Sequence, residues 1–193
     1  MIRALPVVLL TVACGGPDAP PKPPPKPLAV SSVERYMPLE NDTVLAYETE
    51  KETTGERGIL MMHITRPREG RADLTVGEKV RRLELAPDGI RLSEGGYLLK
   101  APLDVGSEWK SGGGRTKVTA IDKAVEVPAG KFVGCIETVE VSGGTTSGRR
   151  VTTVFCPDVG ITLLDVEGVV EDEYIHERAL LRSFGPRVDI GAM

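Results

Sequence analysis

The residues best suited to chemistry are few: three cysteines and two histidines in 193 residues. Cys135 and Cys156 fall in two β-like segments on either side of a glycine-rich stretch. Their types and setting suit a structural disulfide, and paired thiols are not nucleophiles. His63 and His176 could serve a zinc ion only with two or more further ligands, and no C-x-x-C or H-x-x-x-H spacing is present. The acidic run Asp165, Glu167, Glu171, Asp172 and Glu173 has the oxygen donors calcium wants, but its spacing fits no EF-hand and reads as a solvated loop. Gly112-Gly113-Gly114-Arg115 lacks the Lys-Ser/Thr of a phosphate loop, and no G-x-S-x-G occurs. The expectation is a chain with no catalytic residues, no metal and no cofactor. Met61, Met62 and Ile64 lie together in one strand. They fill a core or, if the fold stays half open, line a cavity for an apolar ligand.

The positioning of the two cysteines follows from the stretch around them. Val127-Pro128-Ala129-Gly130 has turn chemistry. Phe132 to Val141 mixes β-branched and polar residues in rough alternation, and Val151 to Cys156 is the return strand. Ser142 to Gly148 makes the hairpin tip. With the hairpin centred between Thr145 and Thr146, residue 135 stands opposite residue 156. Directly opposed residues at a non-hydrogen-bonded antiparallel site are close enough for a disulfide.

The chain starts with a short basic head, Met1-Ile2-Arg3, and a brief apolar run from Ala4 to Ala13, too short to span a bilayer. This is the pattern of a secretory signal over residues 1–13. Leu10-Thr11-Val12-Ala13-Cys14 resembles the lipobox of bacterial lipoproteins, with Thr11 at the position where that pattern has Leu. The resemblance implies lipid attachment at Cys14, and Gly15-Gly16 after it implies sorting to the outer membrane. Export also places Cys135 and Cys156 in an oxidising compartment. Residues 14–32 follow as a spacer. Gly15 to Pro27 holds seven prolines and reads as extended polyproline II, about 40 Å long at ~3.1 Å per residue.

Residues 33–185 are expected to form one all-β domain with 186–193 as a loose tail. Aromatic residues make up 4 % of the chain, so Val, Leu and Ile must build the core. Strand patterns recur at short, regular intervals: 43–48, 59–65, 72–76, 79–85, 90–92, 97–100, 115–121 with 124–127 as a hairpin, the two cysteine strands, 161–166 and 174–184. Ala86-Pro87-Asp88-Gly89 suggests a hairpin with Asp-Gly in a type I′ turn. Tyr174 to Phe184 also has a helical face, but its neighbours favour a strand. The expected fold is a curled antiparallel sheet or half-open barrel of roughly ten strands. A weak internal echo links Pro38-Leu39-Glu40, ahead of Tyr47, with Pro102-Leu103-Asp104, ahead of Trp109. Each segment reads as a turn that feeds an aromatic into the core, and either chance similarity or a duplicated half-barrel accounts for the echo.

Tyr36-Met37-Pro38-Leu39, the run Pro102 to Trp109, Glu126 to Phe132 and Phe155 to Gly160 resemble the YxPL, PLxVGxxW, VxVPAGxF and YxPGVG motifs of an uncharacterised family of bacterial β-rich envelope lipoproteins. Asp158 replaces a Gly of the last motif. The resemblance implies a shared β-rich fold and no activity. With a net charge of −4 and no basic stripe, nucleic acid is excluded as a partner. The expected function is a non-enzymatic binding or assembly module of the cell envelope, held on the membrane by its lipid anchor and meeting an envelope protein. The alternative is a carrier or sensor of an apolar ligand. A cryptic enzyme ranks third, and a pocket joining His63 or His176 to two carboxylates would favour it.

Overall fold

The computed structural model describes residues 32–143, 148–170 and 173–188. The expected signal segment, Cys14 and the proline-rich run 15–27 lie outside these residues. So does most of the tip between the cysteine strands.

Twelve strands form one antiparallel sheet among the described residues, with the order β6-β5-β4-β3-β2-β1-β12-β11-β10-β9-β8-β7. The all-β expectation holds, with two strands more than the ten or so counted. Each half of the chain is a six-strand meander. β1 (Thr43–Lys51), β2 (Glu56–Arg68), β3 (Arg71–Val76), β4 (Lys79–Ala86), β5 (Gly89–Leu92) and β6 (Tyr97–Lys100) make the first. The second comprises β7 (Glu108–Lys110), β8 (Arg115–Val127), β9 (Gly130–Ser142), β10 (Arg149–Cys156), β11 (Gly160–Val170) and β12 (Glu173–Pro186).

The first and last strands of the chain join the halves, pairing from Thr43↔Pro186 to Lys51↔Glu177. The other junction, between β6 and β7, is a seam at the ends of the sheet order. Both strands there are short, four and three residues, and short edges offer little template for pairing with another chain. The seam is nonetheless tight. At Gly96, with φ 81°, a Cβ would stand 2.6 Å from the Lys110 carbonyl oxygen. Only a glycine fits both the backbone angle and that contact. The sheet is thus a nearly closed barrel.

The internal echo falls at the two starts of these halves. Pro38-Leu39-Glu40 precedes β1 and Pro102-Leu103-Asp104 precedes β7. Each half sends an early aromatic inward: Tyr47 and Trp109 are both buried. The Tyr47 hydroxyl donates to the Ile161 carbonyl at 2.9 Å, and burial pushes its titration far up, so the phenol stays neutral. The core around them is aliphatic, with Leu45, Ile64, Leu74, Leu83, Ile90, Leu99, Ile136 and Leu181.

A short helix absent from the sequence reading, α1 (Ser32–Tyr36), buries Val33, and Met37 is buried just after it. It lies at the end of the barrel where β12 also finishes. There Asp158 N–H donates to the Arg35 carbonyl at 2.7 Å, and the Tyr36 hydroxyl donates to the Gly134 carbonyl at 3.0 Å. The tail is not wholly loose, since Arg187 N–H donates to the Asp42 carbonyl at 2.8 Å.

Two turns differ from expectation. The β4–β5 loop is Pro87-Asp88, with Ala86 paired to Gly89. Asp88 is not among the described residues at positive φ, so the turn is not type I′. Proline's fixed φ at the first loop position decides this. Residues 115–127 are one strand, not a hairpin. Asp122 adopts φ 53° inside β8, beside shifts in the β8–β9 register. Aspartate tolerates the left-handed region, and here it makes a bulge where a turn was expected. Tyr174 to Phe184 is strand, as expected.

Candidate functional site

The register of the cysteine hairpin is the one derived from its sequence. Arg149 pairs with Ser142 and Phe155 with Ile136. One step further stand Cys156 and Cys135, joined as a disulfide with Cα atoms 4.2 Å apart. The bridge is fully buried with Val154 in a small cluster that Val125, Phe132, Val159 and Leu163 cover. It marks the point at which β9 leaves β10. Gly134, at φ 70°, bends the chain just before it. The β8–β9 hairpin then reaches β12, where Ala129 N–H donates to the Leu181 carbonyl at 2.9 Å. Phe132 meets Phe184 edge to face, with ring centroids 6.2 Å apart. Asp158, in the following turn, has φ 63°. That conformation suits a glycine best, and the motif it resembles carries Gly there.

Met61, Met62 and Ile64 do not share a cavity. Successive strand residues point to opposite faces. Met62 and Ile64 are packed into the barrel core, whereas Met61 is 57 % exposed on the outside. The expectation of one ligand-lining cluster is corrected on that ground. Two of the three residues are core, and the third belongs to an external surface.

That surface is the outward face of β2, β1 and β12. Ile59 and Met61 stand out from β2, each more than half exposed. Across the ladder Met61 faces Ala46, and His63 faces Val44. A groove of about 470 Å³ is lined there by Val44, Met61, His63, Phe184 and Val188 among others. Beyond it, a groove of about 600 Å³ is lined by Ile59 and Leu180 with Glu48, Glu50, Arg57 and Arg178. A signal for this face was present in the sequence. Ile59 to Met62 is apolar at every position, as expected of a strand with apolar residues on both faces.

Both histidines stand within hydrogen-bonding distance of carboxylates. His63 Nε2 is 2.8 Å from Asp42 Oδ1. His176 Nε2 is 2.8 Å from Asp165 Oδ1, and its Nδ1 is 2.9 Å from Glu52 Oε2. Arg178 reaches the other oxygens of both carboxylates, at 3.2 Å and 3.4 Å. His176 is thus the histidine that meets two carboxylates. Each ring nitrogen already faces a carboxylate oxygen, so the ring offers no free lone pair or N–H to a substrate. The arrangement ties the β1–β2 turn to β11 and β12. Among the described residues no group of three or more His, Cys, Asp or Glu could hold a metal ion. On the outer face of β9, burial pushes the Glu137 carboxyl up, but hydrogen bonds from Lys123 and Thr119 outweigh it and hold the group below its ordinary range.

No protein-family profile and no curated protein matches the chain. Two solved structures are similar in overall shape. One is a candidate exported protein with a YmcC-like fold from Bacteroides fragilis, at TM-score 0.47 and 10 % identity, covering 76 % of this chain and 96 % of that one. The second is a candidate lipoprotein from Parabacteroides distasonis, at TM-score 0.47 and 11 % identity, covering 78 % and 98 %. The family resemblance of the turn motifs therefore rests on those residues themselves.

Proposed function

We propose that this chain is a lipid-anchored protein of the bacterial cell envelope, tethered through Cys14 at the outer membrane, and that its barrel is a non-enzymatic binding or assembly module. The observation that carries the reading is the outward strip of Ile59 and Met61 above the β2–β1–β12 face, flanked by two grooves. Large apolar side chains side by side on a sheet's outer face are costly in water and favour a protein partner. The packing of Met62 and Ile64 weighs against an apolar ligand held beside them. α1 begins, and β12 finishes, at one end of the barrel. A tether entering there leaves the opposite end pointing away from the membrane.

The test is native mass spectrometry of full-length protein purified from its membranes, for the wild type and for Met61→Lys. A protein partner held by wild type and lost from the variant supports the reading. A retained small apolar molecule, with the variant indifferent, overturns it in favour of a carrier. Cys14→Ser protein that still partitions with membranes would remove the lipid anchor from the proposal.

A further inference from the structure

We propose that the outer face of β2, β3 and β4 holds a binding site for a phosphate group that keeps a proton, either orthophosphate or a phosphomonoester. Arg68, Arg71 and Arg82 line one pocket of about 240 Å³, together with Asp73, Pro67 and Ser93. Three adjacent strands supply the guanidinium groups. Pro67 and a register shift between Thr65 and Arg68 interrupt the β2–β3 ladder there, which opens the space.

The charges are arranged against the fold's own stability. Arg68 lies directly opposite Arg71, and like charges so placed repel. Arg71 is neutralised by Glu84 at 2.8 Å. Arg68 is not. Arg82 stands opposite Asp73 in register, yet among the described residues neither one forms an ion pair. Most other arginines of the barrel have a carboxylate partner, including Arg57, Arg81, Arg91, Arg115, Arg150 and Arg182. Two unpaired guanidinium groups facing one pocket suit a bound anion, and the planar fork matches phosphate oxygens two at a time.

Asp73 selects the anion. Its carboxylate can only accept, so a fully deprotonated anion would be repelled at that wall. Orthophosphate keeps at least one protonated oxygen on both sides of neutrality, whereas a phosphomonoester, with its second pKa near ~6, keeps one only in its monoanion. That hydroxyl donates to Asp73 while the remaining oxygens accept from Arg68 and Arg82. Sulfate and phosphodiesters carry no such proton.

Isothermal titration of the full-length chain with inorganic phosphate, and separately with sulfate at equal ionic strength, tests the site. Sedimentation with phosphatidylcholine vesicles containing phosphatidic acid or phosphatidylglycerol distinguishes a lipid monoester from free phosphate. Expected is phosphate binding at least about tenfold tighter than sulfate, weakened about tenfold by Arg68→Gln or by Arg82→Gln, one lost charge-assisted contact each. Arg149→Gln, on β10 and without an ion pair among the described residues, should leave it unchanged. Asp73→Asn should erase the discrimination against sulfate. Binding only to phosphatidic acid vesicles, with the same dependence on Arg68 and Arg82, supports the site with a lipid-borne monoester as its source. No uptake in either arm, sulfate bound as well as phosphate, or indifference to Arg68→Gln and Arg82→Gln overturns the proposal.

Discussion

Cys135 and Cys156 stand one step beyond the last β9–β10 ladder pair, Ile136↔Phe155, where β9 bends away to carry the β8–β9 hairpin toward β12. The disulfide therefore continues the ladder covalently at the point where backbone pairing stops. It holds the base of the hairpin whose tip packs Phe132 on Phe184.

Removing the bridge should lower stability without changing the fold. The cysteines are 21 residues apart, and closing a loop of that size is credited with about 3 kcal/mol. For a domain of this length that corresponds to roughly 6–12 °C in melting temperature. Cys135→Ala with Cys156→Ala should show the same far-ultraviolet circular dichroism spectrum and melt lower by that order. Thiol labelling of denatured, unreduced wild type gives the direct check: labelling at both positions would show that the bridge does not form.

Adjacent methionines should behave oppositely. Met62 is 6 % exposed and Met61 57 %. Met62→Ala leaves a cavity in the core and should cost about 2–5 kcal/mol in urea unfolding. Met61→Ala removes a surface side chain and should stay within about 0.5 kcal/mol of wild type. Equal costs for the two would mean that the strand's inward and outward faces are assigned wrongly.

The Lys123–Glu137 pair on the outside of β8 and β9 predicts a pH signature. Glu137 titrates below the ordinary glutamate range in the folded protein. A depressed carboxyl stabilises the fold fully above the unfolded-state pKa and ceases to do so as pH falls through the folded-state value. Wild type should therefore exceed Glu137→Gln in urea midpoint by a constant margin around pH 7. The margin should shrink as the pH drops through the carboxylate range, around pH ~4 and below. A margin that persists undiminished into strong acid would exclude the ionised pair as its source.

The sequence by itself determined what is local. Alternation and turn chemistry marked most strands, and the symmetric hairpin around residues 145 and 146 placed Cys135 opposite Cys156. That register depends only on the hairpin's own strands and loop length.

Tertiary structure decided what joins distant segments. Nothing near Thr43 specifies that it will pair with Pro186, because that pairing depends on the curl accumulated over all the strands between them. Nor does local sequence bring Glu52 to His176, or Arg82 to the pocket of Arg68. A bulge was mistaken for a turn at Asp122 because a left-handed aspartate serves either, and only the partner strand β9 settles which one forms. Met61 parted from Met62 and Ile64 for a similar reason. Both faces of that stretch are apolar, so composition could not tell inside from outside. The closed wall of the barrel buried one face and left the other in water.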